Sequence, residues 1–220
     1  VSTDTRTLQP GDLFVALVGH RFNGHNYINQ AIEKGACAVV ISQSMEVDVP
    51  YLLVEDTTKA LGRLGLFNRQ KFQKPVVAVT GSSGKTTVKG MMATLLRQSN
   101  DVLVTRGNLN NHIGTPLTLI RINENHDMAM LELGASAEGE IAYTANLTLP
   151  DVAILTNAEA SHLEGFGNLE TIVRTKGEII DSLNDDGTAI LNADSPFYSQ
   201  WRDRAGKRKV ISFGTADSAD

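Results

Sequence analysis

Apolar residues in this chain come in two alternating patterns. Short β-branched runs at 76–80, 102–105, 128–133, 152–156, 188–191 and 209–213 read as strands. Between them, residues 86–98, 115–121, 138–147, 169–183 and 196–204 carry apolar side chains at helical spacing. That alternation predicts a mostly parallel sheet with helices on both faces. A smaller α/β set precedes it. Strands are expected at 13–18, 38–41 and 51–54, and helices at 27–34 and from Thr57 or Thr58 to about 72, with Leu61, Leu64 and Phe67 inward. Gln73-Lys74-Pro75 breaks the pattern, so the expected domains are 1–74 and 75–220. The predicted fold class is α/β, a small N-terminal domain followed by a larger parallel sheet.

The first strand of the second set runs directly into glycine. Val76-Val77-Ala78-Val79-Thr80 is followed by Gly81-Ser82-Ser83-Gly84-Lys85-Thr86-Thr87. Val88, Met91, Met92, Leu95 and Leu96 then fall at i, i+3, i+4, i+7 and i+8. Strand, glycine loop and helix form the setting of a phosphate-binding loop. Gly81 and Gly84 free the backbone to turn its N–H groups toward a polyphosphate, with Ser82 and Ser83 between them. The helix start adds its positive dipole end. Lys85 is placed to reach the β- and γ-phosphates, and Thr86 to meet Mg²⁺. The spacing is G-x-x-G-K-T-T, and Val79 stands where the longer pattern has glycine. A Gly/Ser turn with a threonine cap is the plainer alternative; the flanking strand and helix favour nucleotide.

Composition narrows the partners. The 220 residues, 41% hydrophobic, suffice for one or two cores, and a net charge of −5 gives nucleic acid no electrostatic attraction. Cys37 is the only cysteine, which excludes an internal disulfide and fits a reducing cytoplasm. No apolar run approaches a membrane span, and the opening Val1-Ser2-Thr3-Asp4 is not a signal peptide. Without an initiator Met, Val1 is not expected to be the natural start.

Ligands of open parallel sheets sit beyond the carboxyl ends of the strands. That rule gathers Thr80-Gly81, Glu132, Asn157 with the loop through His162, and Asn192-Ala193-Asp194. Glu132 is either the solvent-facing member of an alternating strand or a hard oxygen ligand for Mg²⁺. His162 is a loop histidine or a ligand. Asn192 and Asp194 make a turn or cap, or belong to the site. Lys176 is flanked at helical spacing by Ile172, Val173, Ile179 and Ile180, so it either snorkels out or serves a purpose.

Together these stretches resemble the ATP-dependent Mur ligases of peptidoglycan synthesis. The resemblance rests on Thr80 to Thr87, Gly107-Asn108-Leu109-Asn110-Asn111-His112-Ile113-Gly114, Glu132-Leu133-Gly134, Gly139-Glu140-Ile141-Ala142, His162-Leu163-Glu164-Gly165-Phe166-Gly167 and Lys176-Gly177-Glu178-Ile179. At the N-terminus Asp4-Thr5-Arg6, Pro10-Gly11-Asp12-Leu13-Phe14 and Gly24-His25 are similar to the family's UDP-binding domain. The likeness covers essentially the whole chain. The Asn-rich loop and the His-Leu-Glu-Gly-Phe-Gly run favour the member that joins D-alanyl-D-alanine to UDP-N-acetylmuramoyl-tripeptide over the one that adds the third peptide residue.

The resemblance implies a role for each matching position. Lys85 holds ATP phosphates, and Gly81, Ser82, Ser83, Gly84, Thr86 and Thr87 complete that grip. Thr86 and Glu132 bind one Mg²⁺. His162 binds a second, together with Lys176 carrying a CO₂-derived carbamate. Asn157 lies near the γ-phosphate. Thr5, Arg6, Gly24, His25, Asn110 and Asn111 contact the UDP substrate. The implied protein is a cytoplasmic monomer. Ser136-Ala137 depart from the family's usual Asn-His, and Asp4-Thr5-Arg6 from its commoner Asp-Ser-Arg. Family members continue into the adenine-gripping half and a third domain, so the chain is expected to be a fragment that does not ligate alone. Two rivals are a folylpolyglutamate synthase-like ligase, which Asp4-Thr5-Arg6 and the separate first domain speak against, and a non-catalytic nucleotide-binding module.

Overall fold

The computed structural model describes residues 1–161, 163–215 and 219. It contains two compact units, Val1–Leu64 and Gly65–Asp220. In the first, β1 (Leu13–Val15), β4 (Ala38–Ile41) and β5 (Tyr51–Leu53) form a parallel sheet in the order β1-β4-β5. Between them come β2 (Val18–Gly19), β3 (Phe22–Asn23), a 3-10 turn (Gly24–Tyr27) and α1 (Ile28–Glu33). Phe14, Ile28, Val39 and Ile41 are its buried core. The strand expected over 13–18 ends at Val15. Val18 and Gly19 instead pair antiparallel with Phe22 and Asn23. The chain bends at Ala16 and Leu17, whose backbone lies against Gly24. A Cβ at Gly24 would meet Leu17 O at 2.7 Å, so only glycine fits.

Helix α2 (Thr57–Lys71) crosses the division between units, which therefore lies upstream of the break expected at 73–75. The cause is hydrogen bonding from the helix's second half. Asn68 Nδ2 donates to the carbonyls of Leu119 (2.8 Å) and Ile122 (2.9 Å). Arg69 donates to Thr148 O, Leu149 O and Phe72 O at 2.6–2.7 Å. Phe67, expected inward, is 59% exposed and lies under the Lys71 ammonium.

The second unit continues with β6 (Val76–Thr80), α3 (Lys85–Leu96), β7 (Val102–Val104), α4 (Gly114–Ile120), β8 (Met128–Glu132), α5 (Glu140–Thr148) and β9 (Val152–Leu155). Then follow a short α6 (Leu163–Phe166), which the pattern did not predict, α7 (Leu169–Asp181), β10 (Thr188–Asn192), α8 (Tyr198–Ala205) and β11 (Lys209–Phe213). Six parallel strands stand in the order β11-β10-β9-β6-β8-β7. Successive residues of β6 face opposite sides. Val76 and Ala78 join one core with Leu119, Ile141, Ile172 and Ile179, while Val77 and Val79 join another with Val88, Met92 and Leu96 of α3. Burial on both faces is why these strands read as continuous apolar runs. Met91 and Leu95, which share the helical spacing, are more than 60% exposed; α3 needs only a narrower stripe against the sheet.

The chain leaves β6 for β7 and β8 on one side and later takes β9, β10 and β11 on the other. Strand order thus reverses at β6. A crevice opens at such a point beyond the carboxyl ends, and here that is the glycine loop.

Candidate nucleotide site

Thr80 ends β6, and the 81–84 loop turns at once into α3. A Cβ on Gly81 would run into Thr156 Oγ1, and Gly84 sits at φ 77°, so each glycine has its own physical cause. The segment after β9 latches the loop. Asn157 O accepts from Ser82 N (3.1 Å), Asn157 Oδ1 from Ser83 N (2.9 Å), and Asn157 Nδ2 donates to Ser83 Oγ (2.8 Å). Thr156 Oγ1 donates to Ser83 O (2.8 Å), and Ser82 Oγ bonds both the N–H and the carbonyl of Glu159. Lys85 curls back, its Nζ donating to Gly81 O (2.6 Å) and Ser82 O (3.3 Å). Burial lowers the Lys85 pKa, and the Glu132 charge opposes that.

Beside the loop lies a cleft of about 610 Å³, walled by the 82–87 backbone and by Lys89, Asn108, Asn110 and Glu132. Glu132, at the end of β8, is 3% exposed, which removes the solvent-facing alternative. Its carboxylate accepts from Thr86 Oγ1 at 2.9 and 3.1 Å, from Asn110 Nδ2 at 2.9 Å, and pairs with Lys89 Nζ at 2.9 Å. Burial works against ionisation, but donation from Lys89, Asn110 and Thr86 outweighs it and holds the Glu132 pKa below its ordinary value. Lys89 is not among the residues expected from the sequence. Its signal was available, since it lies one helical turn after Lys85 on the same face.

Lys176 on α7 is 2% exposed and does not snorkel. Its ammonium lies 5.5 Å from the centroid of the Phe166 ring. Burial, and then the Lys85 charge, lower its pKa to about 8, while Glu140 and Glu178 pull the other way. Glu178, two residues on, accepts from Gly139 N (3.2 Å) and Ala142 N (2.8 Å) and so caps α5. Asn192 Nδ2 donates to Thr156 O, and its Oδ1 accepts from Asp194 N, which makes these two a turn that braces β9. His162 lies outside the described residues.

Most of the remaining candidates bond to groups within the fold. Asn111 Oδ1 accepts from Ile113 N (3.1 Å) and Gly114 N (2.9 Å) at the start of α4. Asn110 is committed to Glu132. In the first unit, Thr5 is buried and donates to Gln30 Oε1 (2.5 Å). His25 is 5% exposed, with Nδ1 2.7 Å from Asn23 Oδ1 and Nε2 accepting from Ser42 N (2.9 Å). Because Nε2 accepts and Nδ1 faces the Asn23 oxygen, the ring carries its proton on Nδ1, and burial lowers its pKa. The Arg6 side chain projects outward, 86% exposed and paired with Asp4.

Fold and loop together place the chain among α/β proteins with a glycine loop where the strand order reverses. Its family follows from comparison with known sequences. The profile described as Mur ligase middle domain matches residues 79–220, and that described as Mur ligase family, catalytic domain, matches residues 1–69. The chain belongs to the Mur ligase family. It is 49% identical over 213 residues to the UDP-N-acetylmuramoyl-tripeptide–D-alanyl-D-alanine ligase of Escherichia coli, covering 97% of this chain and 47% of that protein. A crystal structure of MurF from Acinetobacter baumannii superposes with a TM-score of 0.95 at 38% identity, over 100% of this chain and 48% of that one. MurF ligase from Thermotoga maritima in complex with ADP gives 0.90 at 34% identity, over 100% and 51%. The chain spans about half the length of the relatives it matches. ATP binding is consistent with the family and with that ADP complex. Among the described residues no helix is long and apolar enough to cross a membrane.

Proposed function

We propose that this chain carries the UDP-substrate-binding and ATP-binding parts of a cytoplasmic, ADP-forming ligase that joins D-alanyl-D-alanine to UDP-N-acetylmuramoyl-tripeptide. The carrying observation is the latched loop at the reversal of strand order, with Thr86 and Glu132 bonded to each other in the cleft beside it. The named relatives supply the substrates.

A carboxylate is a poor acylating agent until one oxygen is phosphorylated. In the proposed reaction a carboxylate oxygen of the tripeptide attacks the γ-phosphorus of ATP, the bond to the β-phosphate oxygen breaks, and ADP leaves. The amine of D-alanyl-D-alanine then attacks the acyl carbon, phosphate departs, and the amine loses a proton. The α3 N-terminus and the loop N–H groups other than those of Ser82 and Ser83, which are taken by Asn157, hold the β- and γ-phosphates. The Lys85 ammonium turns from its own loop carbonyls toward the phosphates. Asn157 keeps Ser83 and hence the loop in place.

Mg²⁺ fits the chemistry of the donors at Thr86 and Glu132, a hydroxyl and an ionised carboxylate. When bound there it would offset charge on the phosphate oxygens. Lys176 is read as a carbamate. Its pKa of about 8 keeps a useful fraction as neutral amine. That nitrogen would attack the carbon of CO₂: one N–C bond forms as one C=O π bond opens onto oxygen, one proton leaves, and the anionic carbamate together with His162 would supply donors for a second Mg²⁺. In the first unit Arg6, exposed and paired with Asp4, would turn to a diphosphate, while Thr5, Gly24 and His25 shape the loops around it.

Replacing Lys85 by Ala in the full-length protein should lower ADP formation by about 10²-fold or more in a coupled assay. Near-normal turnover would refute the assignment. ¹³C-bicarbonate labelling of active enzyme, with Lys176→Ala as control, tests the carbamate; an unlabelled Lys176 in fully active enzyme would refute it.

A further inference from the structure

Lys89 has no part in the proposed chemistry, yet its pair with Glu132 sits inside the cleft. Both side chains are almost wholly removed from water, 8% and 3% exposed, and the contact is 2.9 Å. Lys89 Nζ also lies 3.5 Å from Gly107 O, which fixes it from the opposite wall. Thr86 and Asn110 take the remaining capacity of the carboxylate. Glu132 is therefore neutralised before any ligand arrives. Lys85, one turn earlier, adds a second positive charge. Among the described residues no group of three or more His, Cys, Asp or Glu side chains is assembled to hold a metal.

We propose that Lys89 is a positioning residue that serves as the resting counter-ion of Glu132 and makes divalent-cation binding at Thr86–Glu132 conditional on a bound polyphosphate. This rests on the reading of the loop as a nucleotide site. Two ammonium groups against one carboxylate leave the empty cleft net positive. A free divalent cation entering it meets repulsion from Lys85 and Lys89 in a setting of low dielectric. A nucleotide brings several negative charges and reverses that balance, so the cation is retained only together with it. Lys89 also keeps Glu132 ionised and aimed while the cleft is empty. In effect it prevents the carboxylate from trapping metal in an unproductive state.

The experiment is a Mn²⁺ titration of the full-length protein followed by electron paramagnetic resonance, with and without ADP. It compares wild type, Lys89→Arg, Lys89→Met and the double variant Lys89→Met/Glu132→Gln. Wild type and Lys89→Arg should take up Mn²⁺ at this site only with ADP. Lys89→Met should bind Mn²⁺ without nucleotide at least ~10-fold more tightly than wild type, and the double variant should lose that gain. A purely packing role for Lys89 does not create a metal site. Equal nucleotide-free affinity in wild type and Lys89→Met overturns the proposal while leaving the nucleotide site standing. Nucleotide-free Mn²⁺ binding by wild type that the double variant abolishes overturns it too, and needs no single variant to fold. Failure of wild type to bind ADP at all would overturn both readings.

Discussion

Two helices of the second unit each bury a lysine, and they resolve its charge in different ways. On α3, Lys89 meets Glu132 at 2.9 Å. On α7, Lys176 is buried more deeply and faces an aromatic ring, with Glu140 and Glu178 acting only at longer range. A buried ammonium either finds an opposite charge or gives up its proton more easily. The α3 corner takes the first course and is an electrostatically closed unit in the absence of ligand. The α7 site takes the second and is left with a reactive amine. The same residue type thus becomes a fixed counter-ion in one place and a candidate for modification in another, and the neighbours decide which.

The comparison breaks most sharply at Glu132. Glu132→Gln strands the Lys89 charge in a buried site and should cost about 3–5 kcal/mol of stability by urea denaturation. The double variant Lys89→Met/Glu132→Gln should recover most of that, because no unpaired charge remains. A mild effect of the single change would mean that water reaches Lys89 and that the corner is not closed.

Lys176 should behave in the opposite sense. Its folded pKa of about 8 lies below the ordinary lysine value of 10.5, so between those values the unfolded chain holds more protons than the folded one. Stability should therefore rise as pH rises through that window, and the charged lysine costs stability below it. At 1.36 kcal/mol per unit the full span is about 3 kcal/mol. Lys176→Met should flatten this rise and stabilise the chain at pH 7 by up to that amount. Denaturation curves at pH 7, 8.5 and 10 check it, and an unchanged slope in the variant would place the proton elsewhere.

A smaller effect is expected at the latch. Asn157→Ala removes two side-chain hydrogen bonds to Ser83, each contributing about 0.5–1.5 kcal/mol at most in this partly exposed position. Nucleotide affinity should fall more than stability, because the loop loses its fixed shape. Isothermal titration with ADP compared against thermal melting separates the two. The smallest effect belongs to Arg6→Ala in the first unit. Arg6 projects into solvent, so the melting temperature should not move, whereas binding of UDP-N-acetylmuramoyl-tripeptide to the full-length protein should weaken.

The legible parts of this protein are those with local causes. Strand, glycine loop and helix could be read around Gly81 and Gly84 from local order alone, although only Gly84, at φ 77°, answers a constraint of its own turn; Gly81 is required by Thr156 from the segment after β9. The alternation of patterns announced the parallel sheet. Helix faces were less legible. Met91 and Leu95 fit the helical period of α3 but face outward, since period alone does not say how wide a stripe the sheet covers. Phe67 departs for the same reason. Several candidate ligands also proved to have work inside the fold. Asn111 caps α4, His25 satisfies Asn23 and Ser42, and Asn110 braces Glu132. A sequence displays a polar side chain but not the backbone group waiting beside it.

Sequence by itself determined the class of fold, the phosphate loop and the chemical oddity of Lys176, because each depends on neighbours within one or two turns of chain. Tertiary structure alone decided which charges meet. Lys89 and Glu132 lie on different elements, α3 and β8, and only the adjacency of β6 and β8 in the sheet brings them to 2.9 Å. The same holds for Asn157 and Ser83, joined by the pairing of β6 with β9. Charge neutralisation falls off steeply once water intervenes, so a difference of a few ångströms in strand order separates a closed ion pair from two unrelated surface residues.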